Sequence, residues 1–268
     1  MSESETPQKP QTLAGRFAIV IGATRGIGYS ITTSLLSHGC SVLGTYNISS
    51  SISTTLESLA PTLSPTSRFH GLQASILDLT SPARILAAVQ SHFPSQAVDI
   101  LVLNAAIATL SPLDSLTIES YQSVITGNQL FPALLVQTLL PVFSTTGTGR
   151  IIAISSEGAS LSRPNTTEYS ATKAALESMV RTWSKELGRR FNGLTVNAVA
   201  PGLVKTDLWM GLAEERRRVW EEKAREGTVS GKVGEAGDVA EVVVWLAGEG
   251  SRWVTGTTVA VNGGMYDL

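Results

Sequence analysis

Only one cysteine, Cys40, occurs among the 268 residues, so no disulfide can form within the chain. It stands where a helical pattern gives way to an apolar run and reads as a buried thiol, which fits a reducing, intracellular, cytoplasmic setting. Histidine is nearly as scarce. His38, His70 and His92 are scattered and show none of the paired spacings of metal sites, so no metal is predicted. Neither sign of charge prevails, with 20 Lys and Arg against 22 Asp and Glu for a net charge of −2. Without a basic field the chain has nothing to draw nucleic acid or an anionic membrane surface. No uninterrupted apolar stretch reaches the roughly 18 to 20 residues of a membrane span, and the opening MSESETPQKPQ is polar where a signal peptide would be apolar. These absences leave a soluble protein that works on small molecules.

Past a polar tail expected to stay disordered to about Ala14, short runs rich in Val, Ile and Leu alternate with longer helical patterns. The runs are FAIVI (17–21), SVLGT (41–45), RFHGL (68–72), DILVL (99–103), RIIAI (150–154), LTVNAV (194–199) and TTVAV (257–261). Seven strands in this rhythm, each almost continuously hydrophobic, predict a parallel sheet covered by helices on both faces. The expected fold class is a single doubly wound α/β domain over residues 15–268, a length that suits one such domain. The stretch SISTTLESLAPTLSPTS (51–67) is rich in Ser, Thr and Pro and reads as a surface connection.

Ile27, Ile31 and Leu35 recur at i, i+4, and Gly39 is placed to end that helix. GATRGIG (22–28) therefore occupies a strand-to-helix turn. A helix N-terminus offers unpaired amides and a positive dipole end; Gly22, Gly26 and Gly28 would let a pyrophosphate approach the backbone with no Cβ in the way. Such glycines also serve plain packing, and alone they are a weak signal.

Four further motifs follow in order: NAA (104–106), SS (155–156), YSATK (169–173) and PG (201–202). Together with GATRGIG they make the chain resemble the short-chain dehydrogenase/reductase family from about Gly15 to Gly264. The Tyr-x-x-x-Lys pair with a serine upstream is the most specific part of that resemblance. It implies a single Rossmann-type domain with a seven-stranded parallel sheet.

Tyr169 and Lys173, four apart at the start of a long helical pattern, share one face. A free phenol loses its proton near pH 10, and a neighbouring ammonium is expected to lower that value. The resemblance implies that Lys173 also bonds the nicotinamide ribose and that Tyr169 gives a proton to a carbonyl oxygen. It further implies that Ser156 holds that oxygen, beside Ser155 as a structural neighbour, and that Asn128 holds a water linking the lysine to solvent. General acid catalysis and hydrogen bonds placed where charge grows are the physical content of this set. A serine-hydrolase arrangement is set aside, since no histidine falls in a strand-end loop near Ser156.

NAD-dependent relatives usually carry an acid after the second strand that repels a 2′-phosphate. Here the place falls on Tyr46. Arg25 and Asn47 match positions that face the 2′-phosphate in NADP-preferring relatives, where Arg can grip with paired hydrogen bonds and Asn47, Ser49 and Ser50 can add neutral ones. NADP(H) is the expected cofactor. By the same resemblance its contacts are Gly22, Thr24, Arg25, Gly26, Ile27, Gly28, Tyr46, Asn47, Asn104, Ala105, Ala106, Tyr169, Lys173, Pro201, Gly202, Val204 and Thr206, with Ser75 or Asp78 near the adenine.

Ile21 and Leu103 replace residues that are polar in the family; losing both partners of a hydrogen bond to apolar groups can be nearly neutral. Ala106 in place of Gly asks only for an ordinary backbone there. A substrate lid is expected around 204–230, where Trp209, Met210 and Leu212 either pack the lid helix or favour a ring-bearing or extended apolar ketone or alcohol over a small sugar. The charges of EERRR and EEKARE read as solvated faces. Glu157, directly after Ser156, has two readings, a carboxylate facing the substrate or, more simply, a loop carboxylate in water. Homodimers or homotetramers are implied by the resemblance alone. The expected activity is an NADP(H)-dependent ketone reductase, against a catalytically silent nucleotide-binding scaffold or an epimerase or dehydratase of the same fold.

Overall fold

The computed structural model describes residues 12–48, 51–161 and 163–266. In chain order the main elements are β1 (Phe17–Ile21), α1 (Gly26–Ser37), β2 (Ser41–Tyr46), α2 (Ser51–Leu63), β3 (Phe69–Gln73), α3 (Ser81–His92), β4 (Ile100–Leu103), α4 (Ile118–Ile125) and α5 (Phe131–Leu139). There follow β5 (Arg150–Ile154), α6 (Thr167–Arg190), β6 (Thr195–Pro201), β7 (Val204–Lys205), α7 (Asp207–Met210), α8 (Glu214–Gly227), β8 (Gly234–Glu235), α9 (Ala236–Ala247) and β9 (Thr258–Val261). All seven predicted strands are present. The two-residue β7 and β8 form a separate parallel pair.

The large sheet has the order β3-β2-β1-β4-β5-β6-β9 and is parallel throughout. Its central strands are buried on both faces because two apolar layers cover them. Phe17, Ile19 and Ile21 of β1 face a cluster with Ile85, Leu135, Leu176 and Val180 from α3, α5 and α6. The alternate residues Ala18 and Val20 face Ile31, Leu35, Leu56 and Val243 from α1, α2 and α9. Strand order reverses between β1 and β4, and in a parallel sheet every strand points its C-terminus at the same edge. The turns after β1, β2, β3, β4, β5 and β6 therefore converge on one crevice.

Two expectations need correction, and one helical run needs comment. Residues 51–63 form a helix instead of a plain connection. Ser53, Leu56 and Ala60 are buried along one side of it, a helical spacing that outweighs the Ser and Thr content; Pro61 in its last turn forfeits the one hydrogen bond its own N–H would make. The tail is ordered earlier than Ala14: Leu13 is buried, and its amide donates to the His38 carbonyl at 2.9 Å. Residues 1–11, expected to be disordered, lie outside the described residues. Finally, the helical run Ile118–Val142 is long and apolar enough to cross a membrane by length and composition. Phe131, Leu135, Val136 and Leu139 of this run are nonetheless packed into the core beneath the sheet.

Candidate active site

The glycine turn is built by close approach. A Cβ on Gly28 would lie 1.9 Å from the Gly22 carbonyl oxygen and 2.5 Å from the Asn104 amide nitrogen, so only hydrogen fits there. Gly22 adopts φ +78°, a region open to glycine, and a Cβ on it would meet Ala105 at 3.0 Å. Asn104 at the end of β4 donates to the carbonyls of Ile21 (3.2 Å) and Gly22 (3.0 Å), while the Gly22 amide donates to Thr45 Oγ1 at 3.0 Å. Ends of three strands thus hold the turn, and its other side lies near Thr206, 3.5 Å from where a Gly26 Cβ would stand. The first turn of α1 contains no acidic side chain, so the positive end of that helix stays uncompensated. Arg25, exposed at its N-cap position, makes no ion pair among the described residues. An anion such as a pyrophosphate fits this cradle on chemistry and space.

Placement refines several expected contacts. Ile27 packs its side chain into the core under α1, so its contact with a ligand would be through the backbone; Thr24 is likewise buried. Asn47 lines a cavity of about 260 Å³ together with Gln73, Ala74, Ser75, Asp78 and Arg84. Tyr46 does not line it, because its ring lies against Gly71 of β3. Ser75 and Asp78 share the cavity wall, and hydrogen bonds from Thr80 hold the Asp78 carboxyl below its ordinary range. Arg84, which the sequence motifs did not single out, donates to the Gln73 carbonyl at 2.8 Å. Ser49 and Ser50 lie outside the described residues.

At the end of β5 the catalytic candidates meet. Tyr169 and Lys173 are one turn apart on α6, and the Lys173 Nζ stands 5.7 Å from the Tyr169 ring centre. The Tyr169 phenol stands beside Ser156, whose side chain draws its pKa down, and the Ser156 oxygen accepts the Gly158 amide at 3.1 Å. Lys173 donates to the Ile154 carbonyl at 2.7 Å, and Ser155 donates to Glu177 at 2.6 Å. Burial pulls the Lys173 ammonium down to about 8 against the opposing charge of Glu177.

Tyr169 departs from expectation. Burial pushes its phenol above the ordinary value; the Ser156 side chain and the Arg163 charge pull the other way, and Glu157 adds to the rise. Burial outweighs the Lys173 charge in this arrangement, in which the ammonium is turned to the Ile154 carbonyl. At neutral pH Tyr169 is thus a neutral phenol, an acid able to give a proton.

Asn128 sits in a π-turn, Thr126–Leu130, between α4 and α5, a distortion common at functional sites. Its amide clasps the Ile107 backbone in both directions, accepting at 2.8 Å and donating at 2.9 Å, and donates to Thr172 Oγ1 at 3.1 Å. It therefore fixes the loop after β4 to the residue before Lys173.

On the substrate side, the Gly202 amide donates to the Val261 carbonyl at 3.0 Å, which pins the turn after Pro201, and Val204 packs against the α1 and α9 layer. Trp209 is buried with Leu203, Ala224 and Val233, with Leu212 packed against them, whereas Met210 is exposed. Glu157 is no solvated carboxylate: it is buried and ion-paired with Arg163, a pairing that nothing in the motif pattern announces. A cavity of about 320 Å³ borders the loop after Ser156: Gly158, Ser160 and Arg163 line it with Ser170, Ala171 and Ala174 of α6, whereas Tyr169 and Lys173 do not. His70 and His92 stack at 3.6 Å, yet no cluster of three metal-ligating side chains occurs among the described residues.

Comparison with known proteins agrees with this geometry. A family model described as enoyl-(acyl carrier protein) reductase matches residues 22–266. The chain is 39% identical over 263 residues to FrzI, a short-chain dehydrogenase/reductase of Cladobotryum sp, covering 97% of this chain and 99% of that protein. It is 34% identical over 261 residues to FabG of Pseudomonas aeruginosa, a 3-oxoacyl-[acyl-carrier-protein] reductase, covering 95% and 99%. A blue fluorescent protein from a metagenomic library, solved with NADPH, superposes with a TM-score of 0.85 at 32% identity, over 96% of this chain and 100% of that one.

Proposed function

The chain belongs to the short-chain dehydrogenase/reductase family of oxidoreductases, and we propose that within it the protein is an NADP(H)-dependent reductase of ketones on apolar, ring-bearing small molecules. The observation that carries the proposal is the meeting of Ser156, Tyr169 and Lys173 at the strand edge that also presents the glycine cradle. The cofactor, when bound, supplies or accepts the hydride. It would be held by Gly22, Gly26, Gly28 and the amides at the start of α1, with Arg25 and Asn47 toward a 2′-phosphate and Asn104, Ala105 and Ala106 along the inner wall. Pro201, Gly202, Val204 and Thr206 would close the reactive end. An NADPH complex of a structural relative and the lack of a carboxylate at position 46 support NADP(H) over NAD(H).

In the reducing direction Ser156 donates a hydrogen bond to the carbonyl oxygen, and Tyr169, a neutral acid at pH 7, gives that oxygen its proton. Negative charge that builds on the oxygen and then on the phenolate is met by the Lys173 ammonium within the same buried site, where such interactions are strong. Asn128 keeps the helix and the loop after β4 in register for this exchange. The segment 204–230 serves as the substrate cover, and its buried Trp209 with neighbouring Leu212 gives an apolar wall. We place the protein in the cytoplasm, consistent with its lone buried thiol, and as a homodimer or homotetramer, a reading supported by Trp253, which stands 95% exposed just before the edge strand β9.

The test is a panel of cyclic and open-chain ketones incubated with purified protein and either NADPH or NADH. Oxidation of NADPH with an apolar cyclic ketone supports the reading. Binding of NADPH with no turnover on any ketone would favour the silent scaffold.

A further inference from the structure

Arg163 lies in the loop from Ser156 to α6, and its guanidinium reaches three segments far apart in the chain. It ion-pairs with Glu157, the residue after Ser156. Its Cζ stands 5.5 Å from the ring centre of Trp220 on α8 and 6.0 Å from that of Tyr266. Glu157 is 2% exposed, and its second oxygen, which has no hydrogen-bond partner, faces Gly202, 3.1 Å from where a Cβ would stand.

What holds α8 in place is otherwise sparse. Of its 14 residues only Ala224 is buried. Its two ion pairs, Arg218 with Glu214 and Arg225 with Glu222, close within the helix. Trp220 meets Trp209 of α7 edge to face at 6.4 Å, and the C-terminal segment backs the far end, with the Val229 amide donating to the Gly263 carbonyl at 2.9 Å. A helix with so little apolar burial sits at the low-stability end of a fold, so a few contacts decide where it lies.

We propose that Arg163 is a positioning residue, a clasp that holds α8 and the C-terminal segment against the Ser156 loop and so couples the substrate cover to the catalytic serine. The guanidinium suits this task because its edge forks onto a carboxylate while its flat faces remain for aromatic rings. A lysine keeps the charge and loses both the fork and the face. The inference takes 204–230 as a substrate cover and rests to that extent on the reductase reading.

Removing Arg163 alone would strand a buried carboxylate and risk the fold, so the deciding variant is the full chain with Glu157→Gln and Arg163→Gln together. Hydrogen–deuterium exchange is expected to show amides of Glu214–Gly227 exchanging about tenfold faster while β1, β4 and β5 keep their protection. With a reducible ketone, KM is expected to rise about tenfold while kcat falls less than about threefold, because binding and not the proton step is loosened. Arg163→Lys is expected to expose α8 in the same way while residues 157–161 stay protected. Unchanged exchange in α8 in either variant overturns the clasp, as does equal acceleration in the central strands, which would make the pair a core contact. Should the unaltered chain reduce no ketone, the reductase reading fails, and the exchange result still decides the clasp.

Discussion

Replacing Lys173 by methionine should stabilise the fold while abolishing turnover. The ammonium is 3% exposed, and its pKa falls from 10.5 to about 8, mainly by burial. At about 1.4 kcal/mol for each tenfold change in proton affinity, that fall is a cost of ~3 kcal/mol to the native state at pH 7. Methionine of similar length removes the cost but leaves the Ile154 carbonyl without its donor, a loss of about 1 kcal/mol. The balance is ~2 kcal/mol in favour of the variant, a rise of about 4 to 8 °C in Tm for a chain of this size. The sign with pH follows from linkage. Below about 8 the lysine is charged in both states and the whole cost is present; between about 8 and 10.5 the unfolded chain holds the proton and the folded chain does not, so the native protein gains stability. The variant's advantage should therefore shrink between pH 7 and about pH 9.5, read by thermal unfolding in each buffer. A variant less stable than the parent at pH 7, or a gap that ignores pH, would refute the reasoning.

Arg25→Ala should weaken NADPH binding about tenfold and leave NADH binding nearly unchanged, as measured by fluorescence titration; equal losses for both would deny the arginine its place at the 2′-phosphate. Tyr169→Phe should bind NADPH within about threefold of the parent yet show no measurable turnover, since it removes only the acidic hydroxyl; retained activity would disprove its role. Leu103→Asn alone should cost about 2 kcal/mol by burying an unpaired amide, and adding Ile21→Thr should recover part of that cost, which a double-mutant cycle in urea would register. Strict additivity would show that the two strand ends do not interact.

That last pair illustrates what the sequence made legible. Ile21 and Leu103 are register partners in β1 and β4 and lie in one apolar cluster, so the reading of two polar losses as one swapped contact needed only the motif order. The seven strands were legible because central parallel strands are apolar on both faces. The helix at 51–63 was obscured by its Ser and Thr content, although Ser53, Leu56 and Ala60 already carried its buried stripe. Within the site, Ser156, Tyr169 and Lys173 were visible through their spacing, but the proton affinity of Tyr169 was not, since it depends on burial and on Arg163 and Glu157. The Glu157–Arg163 pair was hidden for a related reason: an ion pair folded back over Trp220 and Tyr266 leaves no periodic trace along the chain.

The most direct measurement follows deuterium from NADPH labelled at C4 of the nicotinamide into a ketone, with the alcohol product read by mass spectrometry. The account predicts a singly labelled alcohol with the unaltered chain and none with Tyr169→Phe. Label transferred equally by both proteins, or by neither with any ketone offered, would contradict it.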